Sequence, residues 1–151
     1  MPYDSKGDTL DHIRTVQALL TETICALLER AKSHDASKLK APEKEYFDKW
    51  TPKLSSVTYG SDEYRDMLKQ MRPAIEHHQQ NNRHHPEYYG KPGIESMNLI
   101  DLIEMICDWK AATMRHDDGD IWRSLEINKD RFDTTPGVFN LLVNTVAYLE
   151  W

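Results

Sequence analysis

The sequence predicts an all-α protein of five to six helices, folded as one domain over residues 1–151. Apolar residues recur every three to four positions along most of the chain, which is the spacing of one helix face. Residues that favour helix N-termini stand before several of these runs. No segment shows the alternation of a strand, and a chain of this length can bury a substantial core.

The first predicted helix begins after Thr9, its expected N-cap, and runs to about residue 31 or 32. Its apolar residues follow helical spacing: Leu10, Ile13, Val16, Leu20, Ile24, Leu27 and Leu28. Pro42 fits the first turn of a second helix, with Glu43 and Glu45 near its positive end. Residues 51–60 contain proline, serine and glycine and are predicted to form a loop.

Ser61 or Asp62 is expected to cap a third helix that reaches the histidines after residue 75, with a bend at Pro73. Residues 81–93 are predicted to form a loop. Ser96 is the expected N-cap of the most apolar helix, residues 97–116. That helix is surrounded by apolar side chains, so we expect it to be buried on nearly all sides.

A short helix is expected over residues 121–128. The last helix has Thr134 or Thr135 as its cap and Pro136 in its first turn. Its apolar face consists of Val138, Leu141, Leu142, Val146 and Leu149.

The charge and cysteine content restrict the possible partners. The chain has 19 Lys and Arg against 25 Asp and Glu, a formal net charge of -6, which leaves no broad basic face for duplex nucleic acid. A small phosphorylated molecule held by local cations remains compatible. Cys25 and Cys107 offer no disulfide framework and fit a reducing compartment. No signal peptide or membrane-spanning run is recognised, so we expect a soluble, cytoplasmic protein.

Four of the seven histidines lie in EHHQQNNRHHPEYYG, residues 76–90: His77, His78, His84 and His85. Imidazole is a common ligand of transition metals, so such a cluster points to metal binding or proton transfer. A polar loop rich in histidine is the alternative. Because neighbouring helical residues point about 100° apart, His77 and His78 do not serve one metal equally, and we predict His78 as the ligand.

Asp101, Glu104 and Asp108 recur at i, i+3 and i+7 and form one stripe on the apolar helix. An acidic stripe is usually a solvated face. A carboxylate on a buried helix, however, must be paired or must bind a metal, since an isolated buried charge costs several kcal/mol. The apolar surroundings of this stripe therefore favour a functional role.

His34 and Asp35 are adjacent where the first predicted helix ends, and His12 lies about six turns earlier on that helix. Each of these features has a simpler explanation when it is considered alone. His12 could be an ordinary hydrogen-bonded residue, and His34 and Asp35 could be adjacent by chance. With the histidines of residues 76–90 and Asp108, however, they form an ordered set of metal-binding residue types.

This ordered set resembles the HD-domain superfamily of metal-dependent phosphohydrolases. The segment HDASK, residues 34–38, looks like the His-Asp-x-Gly-Lys form of several HD enzymes, with Ser37 in place of glycine. The segments HDASK, NNRHHPE and EMICDW together also resemble a family of short uncharacterised proteins of phages and bacteria. The similarity spans about residues 9–116.

The resemblance implies one or two divalent transition-metal ions. If there are two, Asp35 is expected to bridge them. The resemblance assigns His12, His34 and Asp108 to one metal, and His78, His84 and His85 to the other. Carboxylate and imidazole suit Mn, Fe, Co, Ni or Zn. Two such ions can activate a bridging water and stabilise charge on an attacked phosphorus.

Lys38 follows the His-Asp pair closely enough to reach a substrate phosphate, and Arg83 is the next candidate, although either could be an ordinary solvated cation. Asp35 and Lys38 are therefore the expected catalytic residues. The resemblance implies hydrolysis of a small phosphate ester, such as a nucleotide or cyclic nucleotide. Two alternatives stay open: a di-iron HD-like oxygenase, and a non-catalytic helical module stabilised by metal. The sequence does not indicate the oligomeric state.

Overall fold

The computed structural model describes residues 3–54, 56–57, 61–115 and 119–151. These residues form six α-helices and three short 3₁₀ helices, and no strand occurs among them. The all-α fold class predicted from the sequence is confirmed. The chain divides into two compact units, Met1–His34 and Asp35–Trp151, which are described separately. The single domain expected over residues 1–151 stays a prediction.

The first unit consists mainly of helix α1, Lys6–Ser33. The predicted cap, Thr9, was wrong by one turn, because the backbone N–H of Thr9 already bonds to the carbonyl of Ser5. At the other end, the N–H of His34 bonds to the carbonyl of Arg30 at 2.8 Å. The predicted end of the helix agrees to within two residues.

The second unit contains five α-helices. They are α2 (Glu43–Leu54), α3 (Asp62–Asn81), α4 (Leu99–Thr113), α5 (Ile121–Arg131) and α6 (Pro136–Tyr148), with 3₁₀ helices at Ala36–Leu39, Pro86–Tyr89 and Gly93–Ser96. Helix α2 packs against α3, and α5 packs against both α4 and α6. The 3₁₀ helix Ala36–Leu39 packs against α2 and α3, while Pro86–Tyr89 packs against α3. These contacts bring the residues around position 36 next to the histidine segment.

Several helix termini agree with the sequence. The hydroxyl of Ser61 accepts a hydrogen bond from the backbone N–H of Tyr64 at 3.1 Å at the start of α3. Thr135 precedes α6 with an extended backbone, and Pro136 occupies the first turn. A side-chain cap marks the start of α3, whereas Thr135 makes no capping hydrogen bond and Pro136 marks the start of α6.

Other boundaries differ from the prediction. Helix α2 continues through Pro52 to Leu54, so the predicted loop is shorter; its residues 55 and 58–60 lie outside the described ranges. Helix α4 begins after Asn98, whose side chain accepts a hydrogen bond from the N–H of Asp101 at 2.9 Å. Ser96 instead ends a 3₁₀ helix. Residue 116, the predicted end of that helix, lies outside the described ranges.

The core of the second unit forms around α4, α5 and α6. Its buried members are Ile94, Met97, Leu102, Met105, Ile106, Ile121, Leu125, Leu142 and Val146. Helix α4 is buried along one side, because Ile103 is 38% exposed and Cys107 is also exposed. The expectation of burial on nearly all sides was therefore wrong; apolar composition alone did not reveal that part of this surface faces away from the core.

None of the helices within the described residues combines the length and apolarity needed to cross a bilayer. Cys25 and Cys107 are both free, exposed cysteines.

Candidate metal centre

Asp35 begins the 3₁₀ helix Ala36–Leu39 with a left-handed backbone, φ 55° and ψ 13°. Aspartate and asparagine tolerate this conformation better than most residues, and such positions are common at functional sites. The Asp35 side chain is 21% exposed. One carboxylate oxygen is buried, and the other binds the Lys38 ammonium at 2.6 Å.

The histidines come from two neighbouring segments. His78 lies in the last turn of α3, and Asn82 ends this helix with an extended backbone. The 3₁₀ helix Pro86–Tyr89, which follows, packs against α3. The residue before a proline avoids the helical region, and His85, before Pro86, is accordingly extended. The His85 ring centroid lies 4.8 Å from that of His78 and 4.3 Å from that of His84.

Asp35, His78, His84 and His85 converge on one point. Each offers one ligand atom, and the four atoms lie within 4.8 Å of one another. His78 Nε2 is 3.1 Å and His84 Nε2 is 3.4 Å from Asp35 Oδ1. Ligand bonds of about 2.0–2.2 Å place neighbouring donors about 3–4 Å apart around a metal, so the spacing suits a single ion.

In His78 and His84, the ring nitrogen that faces away from Asp35, Nδ1, contacts a carboxylate. His78 Nδ1 lies 2.8 Å from Oε2 of Glu43, and His84 Nδ1 lies 3.1 Å from Oε1 of Glu104. Metal-binding histidines usually donate their other N–H group in this way, which fixes the ring and its tautomer. Glu104 belongs to the acidic stripe of α4 for which the sequence favoured a functional role. Glu43 was missed, because an acidic residue in a first turn looks like an ordinary partner of the helix dipole.

His85 completes the set with a buried nitrogen. Its Nε2 atom has no hydrogen-bond partner among the residues that the structure describes. Burial, together with the neighbouring His84 and His78, lowers the pKa of His85 to about 3, although Asp108 and Asp35 act in the opposite direction. His85 is therefore neutral at physiological pH, and a neutral imidazole is the form that binds metal.

Asp108 lies at the margin of this cluster. One of its carboxylate oxygens is within 4.8 Å of a carboxylate oxygen of Asp35. The three histidines are thus surrounded by four carboxylates: Asp35, Glu43, Glu104 and Asp108. Lys38 is paired with the carboxylate of Asp35. When the histidines are neutral, a divalent cation would offset this negative charge.

Three further histidines were considered in the sequence analysis: His77, which was not favoured as a ligand, and His12 and His34, which were. His77 is outside the four-residue set, and its Nδ1 contacts Oε1 of Glu43 at 2.7 Å. His12 is an exposed residue of α1, and His34 follows the same helix. Both belong to the first unit, so their metal binding stays a prediction.

Arg83 is engaged in a buried polar cluster. Its guanidinium binds both carboxylate oxygens of Asp101, at 3.3 Å and 3.0 Å, and the Tyr89 hydroxyl donates to the same carboxylate. The hydrogen bond to Asp101 raises the pKa of Arg83 despite its partial burial. The Asp101 side chain is only 2% exposed. Arg83 thus has a structural partner, and its proposed contact with phosphate stays a prediction.

Replacing Arg83 by alanine is expected to lower the free energy of unfolding by about 1–3 kcal/mol, because the buried Asp101 carboxylate would lose its charged donor. Urea denaturation measures the change. Arg131→Ala is the control, since the Arg131–Glu87 pair is more exposed and should cost less than about 1 kcal/mol. Equal losses in both variants would contradict a structural role for Arg83.

Residues 1–147 match the model of a family of unknown function (DUF5662). Comparison with curated proteins gives no match, and comparison with solved structures gives none.

Proposed function

The chain belongs to DUF5662, a family of unknown function, and we propose that it is an HD-type metal-dependent hydrolase of a small phosphate ester. The observation that carries this proposal is the convergence of Asp35, His78, His84 and His85 within 4.8 Å. A merely polar loop would not require the Nδ1 atoms of two histidines to contact carboxylates, as those of His78 and His84 do.

The donor set indicates the kind of metal. Three imidazoles and one carboxylate suit Mn, Fe, Co, Ni or Zn, whereas Mg prefers oxygen ligands and retains water. A divalent ion of this kind supplies a Lewis acid and lowers the pKa of a water molecule that it binds. Asp35 would hold the ion with Oδ1, while its Oδ2 keeps Lys38 beside the site.

A second ion would need further ligands. Asp108 is near Asp35, and His34 directly precedes Asp35 in the chain. The HD resemblance adds His12. On the resemblance alone, we propose His12, His34 and Asp108 as the residues that would hold a second ion, with Asp35 shared.

The Lys38 ammonium is the best-placed group for the substrate phosphate. It is 32% exposed and already lies 2.6 Å from a carboxylate of the centre. A phosphate oxygen bound beside Asp35 would therefore be within its reach, where the ammonium would stabilise developing negative charge. Arg83 is the second candidate for this contact.

The test is to purify the protein without chelator, measure its metal content, and assay phosphate release from nucleotides, cyclic nucleotides and simple phosphate esters. Hydrolysis stimulated by Mn²⁺ or Co²⁺ supports the proposal. Bound iron with oxygen-sensitive absorption would instead indicate the di-iron oxygenase. Tightly bound metal without turnover on any substrate would indicate a metal-stabilised module.

Lys38→Ala is expected to retain metal and to lower kcat by about 100-fold, the usual cost of removing one donor that stabilises charge in the transition state. Metal should stay bound, because the substitution frees an Asp35 oxygen and removes a competing cation. Metal analysis and steady-state kinetics measure both effects. Lys40→Ala, an exposed lysine of the same segment, serves as control; loss of metal from the Lys38 variant would contradict the phosphate role.

A further inference from the structure

Glu43 is the most completely buried charged residue of the described chain, with 0% exposure. It begins α2, yet its carboxylate points to α3 and the 3₁₀ helix rather than to solvent. Oε1 lies 2.7 Å from His77 Nδ1, and Oε2 lies 2.8 Å from His78 Nδ1. The Ser37 hydroxyl donates to Oε2 at 2.9 Å. Glu43 is therefore the centre of a hydrogen-bonded network.

These contacts restrict the proton on His78. Three polar atoms approach its Nδ1: Oε2 of Glu43, Nδ2 of Asn82 at 3.0 Å and Oγ of Ser37 at 3.1 Å. A carboxylate can only accept, so a lone pair on Nδ1 would face the lone pairs of Glu43 at 2.8 Å. A proton on Nδ1 removes that repulsion.

The other side of the ring agrees with this tautomer. If Nε2 carried the proton, it would have to donate to Asp35 Oδ1, 3.1 Å away. In this structure the two atoms are 3.1 Å apart but are not aligned as a hydrogen bond. With the proton on Nδ1, the Nε2 lone pair faces the centre.

We propose that Glu43 is a positioning residue that holds the proton of His78 on Nδ1 and so reserves Nε2 for the metal. The inference deepens the proposed function and depends on its metal centre. The Ser37 hydroxyl and the Asn82 amide support the arrangement, since Asn82 donates to Ser37 Oγ at 2.9 Å and to the carbonyl of His78 at 2.7 Å. His77, on the other carboxylate oxygen, is 41% exposed and forms the solvent end of the network.

Glu43→Gln should weaken Co²⁺ binding by about 10- to 100-fold, the usual cost of losing a group that orients a metal ligand. Glutamine keeps the shape of the side chain but offers a single acceptor oxygen for two histidines. Titration of the metal-free protein with Co²⁺, followed by visible absorption, measures the change. Glu45→Gln is the matched control, because Glu45 lies in the same helix and is exposed; equal affinity in the two variants would overturn the proposal.

A double substitution separates positioning from general destabilisation. In a His78→Ala background, Glu43→Gln should weaken Co²⁺ binding no further, since the histidine that it orients is gone. If Glu43 only supports the fold, the two losses should add. Additive losses would therefore contradict the positioning role.

Histidine ¹⁵N NMR of the metal-free wild-type protein tests the tautomer without any variant. His78 is expected to carry its proton on Nδ1, and a proton on Nε2 would overturn the inference even if Glu43→Gln fails to fold. The two proposals fail separately: wild-type protein that binds no Co²⁺ refutes the metal centre, whereas the NMR result still decides what Glu43 does to His78.

Discussion

Replacing Asp35 by asparagine is expected to weaken Mn²⁺ or Zn²⁺ binding by more than about 100-fold and to abolish phosphate release. Removing a group that only orients a metal ligand usually lowers metal affinity about 10- to 100-fold. A larger loss is expected for Asp35, because it contributes the only carboxylate of the four-residue set. Its Oδ1 lies 3.1 Å and 3.4 Å from the Nε2 atoms of His78 and His84.

Asparagine is the informative substitution at position 35, because it also tolerates a left-handed backbone and Asp35 has φ 55°. The helical circular dichroism signal should therefore persist, since the apolar core supplies most of the folding energy. Asp48→Asn, an exposed aspartate of α2 paired with Lys44, is the control. Wild-type metal content in the Asp35 variant would remove Asp35 from the centre.

The sequence predicted the helices better than their packing. Helical spacing and local caps such as Ser61 depend only on neighbouring residues, so they are visible in one dimension. The continuation of α2 through Pro52 depends on its packing against α3, since tertiary contacts provide most of the stability of a short helix. Which side of α4 is buried likewise depends on the elements that pack against it, and the local sequence does not show this.

The candidate site divides in the same way. His78, His84 and His85 are close in sequence, and their cluster could be recognised directly. Glu43 is 35 residues from His78 and becomes its partner only when α2 packs on α3, so no local pattern identified it. Arg83 seemed a free cation because its partner, Asp101, lies 18 residues further along the chain.

Alanine substitutions of His78, His84 and His85 are expected to behave as one group, each removing about one metal ion per chain. The reason is that all three offer a nitrogen to the same point beside Asp35. If Asp35 bridges two ions, the ion held by the other ligand set should remain, while hydrolysis that needs the pair is lost. Elemental analysis after exhaustive dialysis counts the ions, and kinetics on the same samples measures turnover.

His77→Ala is the control for this group, because His77 shares Glu43 with His78 but lies outside the convergent set. Its metal content should equal that of wild type, since Oε2 of Glu43 still holds His78. His84→Ala should also destabilise the metal-free protein more than His77→Ala, because it leaves the largely buried Glu104 carboxylate without its imidazole partner. Unchanged stoichiometry in all three cluster variants would make these histidines a polar surface, and the proposal of a metal pair would then have to be withdrawn.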